Sequence, residues 1–245
     1  MNSPSPNPSP RPSVAEGPPQ VLIVAHGQPG DPAPQQRAVE ALAARIHVPG
    51  VRVRGATLAM PGALDRADDE TLVYPLFMAT GWFTRSELPR RLRLAGAAQA
   101  RILPPFGADP GLPALCLALV AQAAKARGWP LPQTRLLIAA HGSGRSRAPS
   151  EAARQIAASL APHAAAATCG FIEEPPFIAE AARGLPAQTI CLPLFATRAE
   201  HVTDDLPAAL SQAGFQGLLL PPVGLAPEVP AMIAESIKAA LSERP

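Results

Sequence analysis

The chain repeats itself. Residues 21–46, VLIVAHGQPGDPAPQQRAVEALAARI, recur in outline at 136–160 as LLIAAHGSGRSRAPSEAARQIAASL. TLVYPLFMATGWFTRSELPRRL at 71–92 returns at 189–210 as TICLPLFATRAEHVTDDLPAAL. RILPPFGADPGLPALCLALVAQA at 101–123 returns at 218–241 as LLLPPVGLAPEVPAMIAESIKAAL. Two copies of one pattern must fold into two copies of one architecture, so whatever the first half can form, the second must form as well.

Within each half the pattern alternates between strand and helix. Val21–Ala25 and Leu136–Ala140 are apolar without polar alternation, as in strands buried on both faces. Ala-rich amphipathic stretches follow at Pro34–Ile46 and Pro149–Leu160. Further strands are expected at Val51–Leu58, Thr71–Leu76 and Arg101–Leu103, and at Ala165–Ile172, Thr189–Leu194 and Gly217–Leu220. Further helices are expected at Thr84–Ala95, Gly111–Arg127, Pro176–Gly184, Val202–Ala213 and Glu228–Leu241. Thr84 and Glu87 stand at the spacing of a capping box. Strands alternating with helices give parallel sheets covered on both faces. The expected fold is α/β: two tandem doubly wound four-stranded parallel-sheet domains from an internal duplication. Their expected limits are 20–130 and 131–245, after a disordered Pro/Ser-rich tail over 1–19.

Composition excludes several functions. A net charge of +2 and only 4% aromatic residues argue against nucleic acid. No apolar run reaches the roughly 20 residues of a membrane span, and the tail lacks the apolar core of a secretory signal. The three cysteines, Cys116, Cys169 and Cys191, are widely spaced in apolar segments, as reduced buried thiols would be. The protein is therefore expected to be cytoplasmic. No GxxxxGK[ST], GxGxxG or GxSxG motif is present, which argues against nucleotide-dependent and serine-hydrolase chemistry.

Doubly wound sheets bind ligands beyond the carboxyl ends of their strands. In the second half three chemically capable groups fall there: His141 after the first strand, Glu173 after the second and His201 after the third. The matching positions of the first half hold His26, Ala59 and Phe83. Singly, each has an ordinary reading: a turn imidazole for His141, a solvated carboxylate for Glu173 beside Glu174, a helix-start residue for His201. Together, at matching strand ends, they point to a site held in the second half and lost from the first. His47 and His163 lie at the opposite edge and are expected to be structural or surface residues.

At these residues the chain resembles the class II tetrapyrrole chelatases, the sirohydrochlorin chelatases of cobalamin and siroheme synthesis. The resemblance rests on AHGS at 140–143, FIEEPPFIAEA at 171–181 and LPLFATRAEHVTDDLP at 192–207, and it spans roughly residues 20–243. It implies a chelatase-like fold of flavodoxin-like halves and ATP-independent insertion of a divalent metal into sirohydrochlorin. By the family pattern His141 and His201 bind the incoming metal, and Glu173 assists in metal delivery or proton removal. The family's Gly before the histidine loop is replaced here by TRAE, and the Ser of its FLExxxPS segment is missing from FIEEPPF. The metal is a substrate, cobalt(II) first, then iron(II), with nickel(II) also suited to imidazole, and no resident cofactor is required. A substrate rich in carboxylates calls for Ser143, Arg145, Arg147 and Arg198 at its cleft. A duplicated chain supplies its own pseudo-dimer, so a monomer is expected. The alternative is a non-catalytic tetrapyrrole or metal carrier on the same fold.

Overall fold

The computed structural model describes residues 17–198 and 201–243, apart from the side chains of His201 and Val202. The tail expected over 1–19 lies outside these residues up to position 16. Strands β1 (Gln20–Ala25), β2 (Arg52–Thr57), β3 (Leu72–Pro75) and β4 (Arg101–Ile102) form one sheet in the order β2-β1-β3-β4. Strands β5 (Arg135–Ala140), β6 (Ala166–Phe171), β7 (Thr189–Pro193) and β8 (Leu218–Leu219) form a second in the order β6-β5-β7-β8. Every pairing is parallel, and the registers correspond: Val24 lies opposite Pro75 as Ala139 lies opposite Pro193. The expected fold class is the one observed.

Side-chain alternation along the central strands divides the core into layers. Val21, Ile23 and Ala25 of β1 share one apolar cluster with Leu136, Ile138 and Ala140 of β5. Leu22 and Val24 face a second cluster in the first half, and Leu137 and Ala139 a third in the second half. Because both faces of each strand are buried, the strands read as unbroken apolar runs. Fully burying each Leu, Ile or Val side chain contributes about 1.5–3 kcal/mol.

Seven helices cover the sheets among the described residues: α1 (Pro32–Ala44), α2 (Leu88–Leu94), α3 (Leu112–Ala126), α4 (Ala148–Leu160), α5 (Ile178–Ala182), α6 (Leu206–Gln212) and α7 (Val229–Ser242). Most carry proline in the first turn, where the missing N–H leaves no hydrogen bond unmade. The last helix of each half crosses to the other. α3 packs on α4 and β7 of the second half. α7 is tied to the first half through Ser236 Oγ, which donates to Asp109 Oδ2 at 2.7 Å, and through the Ala240 carbonyl, which accepts from Arg101 Nη1 at 2.8 Å. Asp109 also accepts from the buried Tyr74 hydroxyl at 2.7 Å. Burial first, and the Asp109 carboxylate second, push the Tyr74 hydroxyl far above its ordinary pKa, so it stays a donor.

Both expected helices at 84–95 and 202–213 begin differently from their reading. A π turn, Phe83–Glu87, leads into α2, and another, His201–Asp205, leads into α6. Each precedes a Leu-Pro pair. Pro89 and Pro207 have no N–H, and in a regular α-helix their rings would strike the carbonyl four residues back. The wider turn, closed by Leu88 N–H donating to Phe83 O, relieves that contact. The Thr84–Glu87 capping box does not form. Thr84 Oγ1 accepts from Gly81 N–H at 2.9 Å, while Glu87 binds Arg90 Nε at 2.8 Å and Arg91 Nε at 2.6 Å. Hydrogen bonds from Arg90 and then Arg91 lower the Glu87 pKa to about 2. Arg91 also donates to the Leu58 carbonyl and so anchors the loop after β2.

Candidate metal and tetrapyrrole site

The order β6-β5-β7-β8 reverses direction about β5, which places a crevice at the carboxyl ends of the strands. His141 follows β5 directly, and Gly142 turns the chain with φ of +69°. A Cβ at Gly142 would lie 2.9 Å from both Phe171 Cβ and Glu174 Cγ, so only glycine fits this turn. The turn brings the Gly142 carbonyl 3.0 Å from His141 Nδ1. A carbonyl oxygen can only accept, so Nδ1 carries the proton, and Nε2 is the lone-pair nitrogen of the neutral ring.

Glu173 comes from the end of β6. Its N–H donates to His141 O at 2.9 Å, which fixes the two residues side by side. Its carboxylate Oε2 lies 3.7 Å from His141 Nδ1, with both side chains partly open to solvent. Glu174 reads from sequence as a solvated neighbour, yet it closes the His141 loop, its Oε1 accepting from Ser143 N–H at 2.9 Å.

Of the seven residues expected at this site, the structure brings His141, Glu173 and Ser143 together. Arg145 and Arg147 follow on the same loop, both exposed; the Arg145 N–H donates to Ser143 Oγ at 3.2 Å. Arg198 is exposed in the loop after β7. These three arginines make no ion pair among the described residues. The His201 backbone opens the π turn before α6, but its side chain lies outside the described residues. A hollow of about 450 Å³ opens between α5 and α6, lined by Ile172, Phe177, Ile178, Asp205 and Ala209 among others. Phe177 in its lining is 43% exposed.

The first half repeats the frame without its chemistry. Ala59 N–H donates to His26 O at 2.9 Å, the same bond that Glu173 makes to His141. Gly27 has φ of +78°, and its carbonyl lies 2.6 Å from His26 Nδ1. Where the second half has His201, Phe83 meets the His26 ring edge to face, with centroids 4.3 Å apart. Phe77 stacks on Phe83 at 6.0 Å, and Trp82 meets it edge-on at 5.0 Å. Sequence reasoning noted the loss of Glu and His here but missed the aromatic cluster that replaced them.

Cys116 and Cys191 are buried, and burial pushes their thiols up to about 12; Cys169 is raised to about 11 for the same reason. His47 and His163 are exposed, away from the strand ends that carry His141 and Glu173. No helix among the described residues is long and apolar enough to cross a membrane.

Two four-stranded parallel sheets flanked by helices, in two tandem halves, are the fold seen in solved chelatases. A likeness of fold alone is seen in SirB from Bacillus subtilis, solved with Fe3+: 19% identity, TM-score 0.67, 91% of this chain and 96% of that one. DR2241 from Deinococcus radiodurans, described as structurally similar to chelatases, matches at 23% identity and TM-score 0.67, over 89% of this chain and 54% of that one. The CbiX family model matches residues 135–240. A solved CbiX, described as the terminal enzyme for siroheme biosynthesis in denitrifying bacteria, is 85% identical, with TM-score 0.88 over 90% of this chain and 99% of that one. The chain belongs to the CbiX family of sirohydrochlorin chelatases. Comparison with curated proteins gives no match.

Proposed function

We propose that the protein inserts iron(II) into sirohydrochlorin without nucleotide, as a cytoplasmic monomer, with cobalt(II) and nickel(II) as weaker substrates. The observation that carries this reading is the 85% identity to a CbiX whose described role is the last step of siroheme synthesis. It moves iron ahead of cobalt, reversing the order expected from the sequence. In this reading the half at 131–245 does the chemistry and the half at 20–130 forms the wall of the cleft.

The reaction joins a divalent ion to four pyrrole nitrogens and releases the two N–H protons of the macrocycle. Metal–nitrogen bonds replace N–H bonds and weaker ligands, so no phosphoryl transfer is needed. His141, presented through Nε2, and His201 hold the ion with the intermediate affinity of imidazole, leaving coordination positions for the ring. Glu173, open to solvent, takes protons from the macrocycle and passes them to water. Arg145, Arg147 and Arg198 receive substrate carboxylates, and Ser143 adds a hydroxyl beside them. Mixing the purified protein with sirohydrochlorin and each metal, without nucleotide, is expected to accelerate the absorbance change of metallation, iron(II) most. Rates equal to the protein-free background for all three metals would leave only a carrier role.

A further inference from the structure

We propose that the rim of the first half is a binding site for the metallated macrocycle, with His26 as axial ligand. The inference rests on the metallation reading above. His26 is exposed at the carboxyl end of β1, and its Nδ1 donates to the Gly27 carbonyl at 2.6 Å, so Nε2 carries the lone pair. Phe83 holds the ring edge to face.

The surroundings decide what such an imidazole can bind. A bare divalent ion needs several donors, and here the position of the carboxylate is Ala59 and that of the second imidazole is Phe83. One nitrogen among apolar neighbours is a poor place for a hydrated cation, which would lose water without replacement ligands. A metal already held by four pyrrole nitrogens has different needs. It lacks only axial ligands, and its flat apolar ring gains from aromatic surface. Trp82, 63% exposed, and Phe83, backed by Phe77, offer that surface beside His26. Arg85, exposed one turn along, makes no ion pair among the described residues and can meet a peripheral carboxylate. The same frame that presents an ion in the second half therefore favours the finished complex in the first.

The test titrates iron(III)-sirohydrochlorin, and separately the metal-free macrocycle, into the full chain, reading the visible spectrum. Wild type is expected to give the shift of axial imidazole ligation with the iron complex only. His26→Ala is expected to weaken that binding about 10-fold to 100-fold, the scale on which metal-site residues act. His141→Ala is expected to keep the binding. The inference is overturned if His26→Ala binds the iron complex like wild type, if His141→Ala alone abolishes the shift, or if metallated and metal-free rings bind equally. Wild type that metallates but gives no shift overturns the inference and leaves the function standing. Wild type that fails to metallate yet shows the His26-dependent shift overturns the function and leaves the site.

Discussion

His141→Ala is expected to slow metallation by on the order of 100-fold or more, the scale set by losing a group that handles the reacting atoms. The side chain is partly exposed, so its removal leaves no core cavity, and the thermal midpoint should stay within about 2–4 °C of wild type. The turn beneath it is held by other bonds: Glu174 to Ser143 N–H, and Glu173 N–H to the residue 141 carbonyl, which alanine retains. The effect should therefore fall on turnover. Initial rates at saturating macrocycle, with circular dichroism melts on the same samples, check both halves of the expectation. A variant that melts like wild type and metallates at full rate would remove His141 from the chemistry.

Gly224→Ala is expected to damage both stability and turnover. Gly224 N–H donates to Phe195 O at 2.9 Å, and a Cβ there would sit 2.1 Å from the Ala196 carbonyl oxygen. The obstacle is backbone, which cannot rotate away, so the cost should reach the upper part of the about 1–3 kcal/mol typical of overpacking. The displaced segment leads to Arg198 and His201. A shift of about 1 Å at a reacting group can cost roughly 100-fold in rate. The first half provides a matched control: Gly107 N–H donates to Phe77 O at 2.9 Å, and a Cβ there would fall 1.7 Å from the Met78 oxygen. Gly107→Ala should cost at least as much stability yet largely preserve turnover per folded molecule. Equal loss of turnover in the two variants, after correction for the folded fraction, would contradict the division of labour between the halves.

Much of the architecture was legible because duplication and burial both leave strong marks. Val21–Ala25 and Leu136–Ala140 are apolar throughout since each strand is covered on two faces, and their repeat fixed both sheets at once. The departures have local causes. Thr84 and Glu87 matched a capping box by spacing, but Pro89 widens the turn, and Arg90 and Arg91 claim the carboxylate. The crossing of α3 to the second half was invisible because periodicity tells which face of a helix is apolar, not which sheet it covers. At the site, strand-end position identified His141 and Glu173 as neighbours. The protonated Nδ1 was not legible, since it depends on where a glycine carbonyl points. The aromatic cluster about His26 was hidden for a similar reason: Phe77, Trp82 and Phe83 read as loop and helix-start residues until the π turn gathers them.

X-ray absorption on cobalt(II) bound to the macrocycle-free protein tests most directly whether the ion is presented by the second half. One cobalt per chain is expected, with two imidazole nitrogens, a signature disrupted by His141→Ala and untouched by His26→Ala. A spectrum that survives His141→Ala and collapses in His26→Ala would place the ion on the wrong rim and contradict the account.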